Sequence, residues 1–213
     1  MIITSQTVGP FEENCYLVVD EGTRRAVLVD PGDEGGRIVE AVRRSGATLE
    51  AIWLTHAHLD HVGGVAEVKR AWDVPIFLHP ADEPLYANAY RQAAAYGVPF
   101  EQPPASDQRL ADGQVMRVGS LSFEVMHTPG HAPGHVIYHG HGVILGGDLL
   151  FAGSIGRTDL PLSNPAQMSA SLERLMTLPA DCDVHPGHGP ATTLAAELRS
   201  NPFLTGAARV VRR

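Results

Sequence analysis

Thr55-His56-Ala57-His58-Leu59-Asp60-His61 follows the apolar run Ala51-Ile52-Trp53-Leu54 and runs into Gly63-Gly64. Three imidazoles and a carboxylate fall within six consecutive positions, which would be a poor way to build a core. Imidazole nitrogens and carboxylate oxygens are the donors that zinc and similar divalent metals prefer. In extended backbone His56 and His58 point to the same side, because side chains alternate with period two. Asp60 and His61 then follow where Gly63-Gly64 let the chain turn. So dense a cluster asks for a metal, and for two rather than one.

Outward from that run, the text reads as short strands punctuated by turns. Met1 to Val8, Cys15 to Val19 and Ala26 to Val29 are strand-like, and are closed by Gly9-Pro10, Glu21-Gly22 and Asp30-Pro31-Gly32. Helical spacing appears in Ile38-Val39-Val42 and again across Val65-Val68-Ala71-Trp72. Ala81 to Leu110 differs, being alanine-rich and then proline-bearing; it predicts a helix plus an irregular excursion that could lie over a site as a lid. The second half repeats the β theme. Val115 to Val118 pairs with Leu121 to Met126, and Val136 to Tyr138 with Gly142 to Leu145. A helix across Met168-Leu172-Leu175, a short strand Val184-His185 and a last helix from Leu194 to Leu198 complete the chain. Strands followed by helices in each half predict two packed sheets with helices outside, within one domain over residues 1–213.

Three more polar positions stand at the ends of β-like runs beside glycine. They are His131 in Pro129-Gly130-His131, Asp148 in Gly146-Gly147-Asp148 and His188 in Pro186-Gly187-His188-Gly189. Glycine beside a ligand lets the backbone approach a metal closely. Asp30 precedes a turn that could face the same end of the sheets and would then accept a hydrogen bond from a ligand. His135 is a candidate for the same supporting role, His127 and His185 for packing beside the site, and His79, His139 and His141 for structure or surface.

Bulk properties narrow the class. The 213 residues, 44% hydrophobic and 19% charged, suit a soluble globular protein, and the net charge of −8 argues against binding nucleic acid by phosphate neutralisation. No apolar run approaches the roughly 18 residues of a membrane span, and the first residues show no basic-then-apolar leader. Cys15 and Cys182 are expected as free thiols in a reducing cytoplasm. The basic residues are nearly all arginine, and the terminal run Arg209-Val210-Val211-Arg212-Arg213 is expected to be solvated.

His-x-His-x-Asp-His, then Gly-His, Gly-Asp and Pro-Gly-His-Gly, resembles the metallo-β-lactamase superfamily over essentially the whole chain. That resemblance implies a four-layer αββα sandwich of two mixed sheets. It implies that His56, His58 and His131 hold one metal, that Asp60, His61 and His188 hold a second, and that Asp148 bridges them, with Asp60 and Asp148 catalytic. The metals would be two divalent ions, zinc first, with iron or manganese able to use the same donors. A water shared by two such cations ionises near neutral pH and serves as the bridging nucleophile.

Gly153-Ser154-Ile155-Gly156-Arg157-Thr158-Asp159, with Asn14-Cys15-Tyr16 and Asn201-Pro202-Phe203, resembles the short glyoxalase II-like, hydroxyacylglutathione hydrolase subgroup. The substrate implied is a small acyl-thiol such as S-lactoylglutathione, with Arg157 placed to grip a carboxylate; its alternative is a salt bridge within its own loop. The chain has no room for the C-terminal helical domain of the longer enzymes, which leaves the thiol carrier open. Oligomeric state is not legible. The chief rival is a persulfide dioxygenase using one iron on His56, His131 and Asp148; lactonase and β-lactamase activities rank lower, the latter for want of a secretory signal.

Overall fold

Alternation with period two decides which layer each strand residue enters. The computed structural model describes residues 1–210, so Val211, Arg212 and Arg213 of the basic terminal run lie outside the described residues. Tyr16 and Val18, Val27 and Val29, and Ala51 and Trp53 point into one apolar cluster, while Leu17, Val19, Leu28 and Ile52 point into another on the opposite side. These residues belong to β1 (Ile2–Val8), β2 (Glu13–Asp20), β3 (Arg25–Val29), β4 (Thr48–Trp53), β5 (Ile76–Leu78) and β6 (Gln108–Arg109), which pair in that order. β1, β2 and β3 run antiparallel to their neighbours, while β3 through β6 are parallel. β2 is buried at every position, as a strand covered on both faces must be.

The second sheet follows the same rule. It orders β7 (Val115–Val118), β8 (Leu121–His127), β9 (Val136–Gly140), β10 (Val143–Gly147), and then β13 (Asp183–Pro186) and β14 (Thr192–Thr193). Between β10 and β13 the chain makes a small ribbon, β11 (Leu150–Phe151) with β12 (Ser154–Ile155). β10 and β13 are parallel in an otherwise antiparallel sheet, so both sheets are mixed. Phe123, Val125, Val136, Tyr138 and Leu145 meet the first sheet, whereas Ile137, Ile144 and Val184 face outward. Trp53 stacks on Tyr138 at 5.1 Å and meets Phe123 edge-on at 5.8 Å across the sandwich. Truncating a buried aromatic of that size costs roughly 3–5 kcal/mol.

Helices close the two outer faces. α1 (Gly35–Ser45) buries Ile38, Val39 and Val42, carries Arg43 and Arg44 in its last turn, and stops at left-handed Gly46. Two short helices follow β4, α2 (Leu59–Val62) and α3 (Val65–Ala71), and α3 packs beside α1. Over the other sheet lie α6 (Pro165–Leu175), capped by the Asn164 side chain on Ala166 N and Gln167 N, and α7 (Leu194–Ser200). The layer order is therefore helix, sheet, sheet, helix. Both cysteines are free and buried, and among the described residues no helix is long and apolar enough to cross a membrane.

Two local details go beyond expectation. The chain turns at Gly63-Gly64, but Asp60 and His61 already sit within a short helix, α2, which starts directly after extended His58. The stretch from Ala81 to Leu110 holds two helices, α4 (Glu83–Ala87) and α5 (Ala89–Tyr96), before its irregular portion reaches β6.

Candidate metal centre

Every candidate ligand stands where a strand ends at one edge of the sandwich. β4 delivers His56 and His58, α2 adds Asp60 and His61, and the loop after β8 brings His131; β10 ends beside Asp148, and β13 beside His188. One donor atom each from His56, His58 and His131 lie within 4.8 Å of one another, and so do donors from Asp60, His61 and His188. Asp148 reaches both groups: its Oδ2 is 3.3 Å from His131 Nε2 and 3.6 Å from His188 Nε2, and its Oδ1 is 3.4 Å from His61 Nε2. All seven residues are thus gathered at one place.

The outer ring atoms explain the orientation. His61 Nδ1 donates to Asp30 Oδ2 at 3.0 Å, His131 Nδ1 to Arg157 O at 2.8 Å, and His188 Nδ1 to Phe11 O at 3.0 Å. His56 Nδ1 lies 3.0 Å from the Thr55 hydroxyl. Each contact holds the tautomer that turns an Nε2 lone pair toward the centre. His58 is the exception, presenting Nδ1 to His131 Nε2 at 2.9 Å. Two ring nitrogens this close open onto the same space, as two ligands of one cation do.

The donor set fits a pair of divalent cations. His56 Nε2, His61 Nε2 and Asp148 Oδ1 are buried without a hydrogen-bond partner, a costly state that coordination relieves. Burial, then His61 and His58, holds His56 far below the ordinary imidazole value; burial and His131 push His58 down to about 3. Both rings are therefore neutral donors at pH 7. Burial alone would raise Asp148 and lower His61, but their mutual attraction overrides it: the carboxyl falls below its usual range and the ring rises well above its own. That half of the site attracts positive charge, which a metal supplies in place of a proton.

Several supports were legible and several were not. Asp30 accepts from Thr55 N at 2.7 Å and Thr55 Oγ1 at 2.6 Å as well as from His61, so both its oxygens are engaged and it braces the loop that carries His56 and His58. His135 takes Asp148 N–H on its Nε2 at 3.0 Å. His127 stacks on His79 at 4.1 Å, and His185 meets Tyr16 edge-on. Two buried acids escaped sequence reasoning. Glu13 lies 3.9 Å from His61 Nδ1, and burial pushes its carboxyl well above the usual range, with His61 opposing. Asp82, also buried, accepts from Ala57 N at 2.9 Å and from Gly134 N at 2.5 Å, joining the two histidine loops. Glu12-Glu13 reads as a solvated pair and Pro80-Ala81-Asp82 as a surface turn; only the fully buried neighbours of β2 hint otherwise for Glu13.

A cleft opens over the cluster, lined by His58, Asp60, His131, Asp148 and His188 below and by Arg91, Tyr96 and Arg157 at the sides. Arg157 places Nε and Nη2 on Asp159 at 2.7 and 2.9 Å. The family model described as the metallo-beta-lactamase superfamily matches residues 8–188. The chain is 36% identical to hydroxyacylglutathione hydrolase GloC of Haemophilus influenzae over 202 residues, 92% of this chain and 95% of that protein. Among solved structures it resembles TTHA1623 in a di-iron-bound form, at 47% identity and TM-score 0.87, covering 94% of this chain and all of that one. It also resembles ETHE1 from Myxococcus xanthus, at 29% identity and TM-score 0.82, covering 97% of this chain and 85% of that one.

Proposed function

From the premise that this chain belongs to the metallo-beta-lactamase superfamily, we propose that it is a binuclear metal-dependent hydrolase of acyl thioesters of the glutathione type. One observation carries the reading: Asp148 lies within 3.6 Å of members of both donor groups. His56, His58 and His131 would hold one cation, Asp60, His61 and His188 the other, and Asp148 would be shared. Zinc or iron, when bound, would supply an ionised water at neutral pH and Lewis-acid polarisation of the acyl carbonyl.

The remaining work falls to the chain. Asp30, Phe11 O and Arg157 O keep the three rings they touch from turning, so the donors converge without reorganisation. His135 fixes the Asp148 backbone from behind. Beyond the seven donors, the described residues lining the cleft include no carboxyl or imidazole able to protonate an amine. An amide nitrogen needs such a proton, whereas a thiolate with a pKa of about 8.5 departs without one. That chemistry favours thioesters over amides and lactams, and the similarity to GloC points the same way.

The likeness to ETHE1 favours a second reading, a mononuclear-iron persulfide dioxygenase on His56, His131 and Asp148. Against it stands the complete second group of Asp60, His61 and His188. Turnover of S-lactoylglutathione by purified protein, with metal content and oxygen uptake on glutathione persulfide measured on the same sample, separates the two. Two metals per chain with thioester cleavage and no oxygen uptake is expected. One iron with oxygen consumption and no cleavage overturns the hydrolase.

A further inference from the structure

The cleft above the donors encloses about 690 Å3, ample for a ligand much larger than a lactoyl group. Its walls are mostly apolar, formed by Phe11, Leu59, Tyr96, Phe151, Ile155 and Leu160. Tyr96 is 55% exposed, held edge-on against Phe11 with ring centroids 5.3 Å apart, and lies in electrostatic reach of Arg157. An aromatic pair left open at the mouth of a cleft offers apolar surface that a small polar acyl group would not cover.

Two guanidinium groups line this space, and they are not equivalent. The forked edge of Arg157 that would grip a carboxylate is occupied by both oxygens of Asp159. Arg91 donates its Nε to the Tyr90 hydroxyl at 2.9 Å and has no carboxylate partner among the described residues. It is mounted on a firm element. Ala89 and Ala93 are buried, Gln92 Oε1 accepts from Leu59 N at 3.3 Å, and Arg91, Gln92, Ala95 and Tyr96 of the same helix line the cleft.

We propose that α5 selects the substrate: Arg91 binds a carboxylate on the thiol half, and the Phe11–Tyr96 pair with the facing apolar wall receives a bulky apolar acyl group. The identity of the reaction comes from the hydrolase reading above, on which this inference rests, but the claim concerns recognition and is read by binding.

Calorimetric titration of the purified protein with three non-hydrolysable thioethers tests it: S-hexylglutathione, S-methylglutathione and the diethyl ester of S-hexylglutathione. The hexyl ligand should bind at least about tenfold more tightly than the methyl one. Arg91→Met should weaken the hexyl acid about tenfold and leave its diester unchanged. Arg157→Met should weaken the acid less than Arg91→Met does, and Tyr96→Ala should shrink the hexyl-to-methyl ratio. The proposal is overturned if Arg91→Met binds the acid like wild type, if acid and diester weaken alike, if chain length does not matter, or if wild type binds none of the three. Binding as expected with no thioester turnover would remove the hydrolase and leave the role of α5 standing.

Discussion

Asp30 Oδ2 accepts the Nδ1 proton of His61 at 3.0 Å, while its backbone holds a left-handed φ of 49° that aspartate tolerates better than most side chains. The same carboxylate takes Thr55 N and Thr55 Oγ1, so one residue orients a candidate ligand ring and anchors the loop that carries two more candidates. Asp30→Asn would turn an amide N–H toward one of those donors. Metal affinity should fall 10- to 100-fold, as expected when the partner of a ligating imidazole is lost. Competition against a coloured chelator measures it, and an unchanged affinity would strip Asp30 of this role.

Asp82 gives a prediction in pH. Burial raises its carboxyl from 3.8 to about 6, against the pull of the Gly134 and Ala57 N–H groups. A carboxyl raised in the folded state favours the protonated form. Its contribution is full below the unfolded value of 3.8 and is lost as pH climbs through about 6. Relative to Asp82→Asn, the wild type should lose on the order of 3 kcal/mol between pH 4 and pH 7, two pKa units at about 1.4 kcal/mol each. Denaturant unfolding of both proteins at several pH values reads the difference directly. A gap that stays constant with pH would contradict the raised carboxyl.

Asp20 runs the other way. Its Oδ2 accepts from Ser120 N at 2.7 Å, Ser120 Oγ at 2.9 Å and Thr23 Oγ1 at 2.7 Å, and its Oδ1 from Gly22 N at 3.0 Å. The Ser120 backbone bond leads in holding its carboxyl well below the usual range. Stability from such a group is present above the ordinary aspartate value and drains away as pH falls. Asp20 ties the end of β2 to the turn between β7 and β8, so it links one sheet to the other. Asp20→Ala should therefore be less stable than wild type at pH 7, with the gap closing as both are taken below pH 4. Parallel acid unfolding curves with a fixed offset would refute this.

The strand layers were legible because period-two alternation is a local signal: Tyr16, Val18, Val27 and Val29 declare one face, and Leu17, Val19 and Leu28 the other. The His56 to His61 run was equally plain, since its donors are neighbours in sequence. Arg91, Asp82 and Glu13 were not, for a common reason. Asp82 acts on backbone N–H groups of Ala57 and Gly134, 25 and 52 positions away, and backbone partners leave no side-chain pattern. The position of Arg91 depends on how α5 is seated on Leu59 through Gln92, a contact across 33 positions. Arg157 could be read either as a substrate contact or as a loop salt bridge, and its fork on Asp159 emerges only with coordinates.

Gly187 tests the shared carboxylate most directly. A Cβ at that position would stand 2.3 Å from Asp148 Oδ1 and 2.8 Å from His61 Cε1, distances that real Cβ atoms do not tolerate. Gly187 also donates N–H to Gly147 O at 2.8 Å and accepts from Asn14 N at 2.8 Å, so its backbone cannot easily retreat. The added methyl must push Asp148 out from between the two donor groups. Gly187→Ala should thus keep the fold, since the core clusters lie elsewhere, while metal content drops below two per chain and thioester hydrolysis falls at least about a hundredfold. Circular dichroism, metal analysis and turnover on one preparation decide it. Full metal content with near-normal turnover would mean that Asp148 need not sit where it does, and its proposed bridging role would go with it.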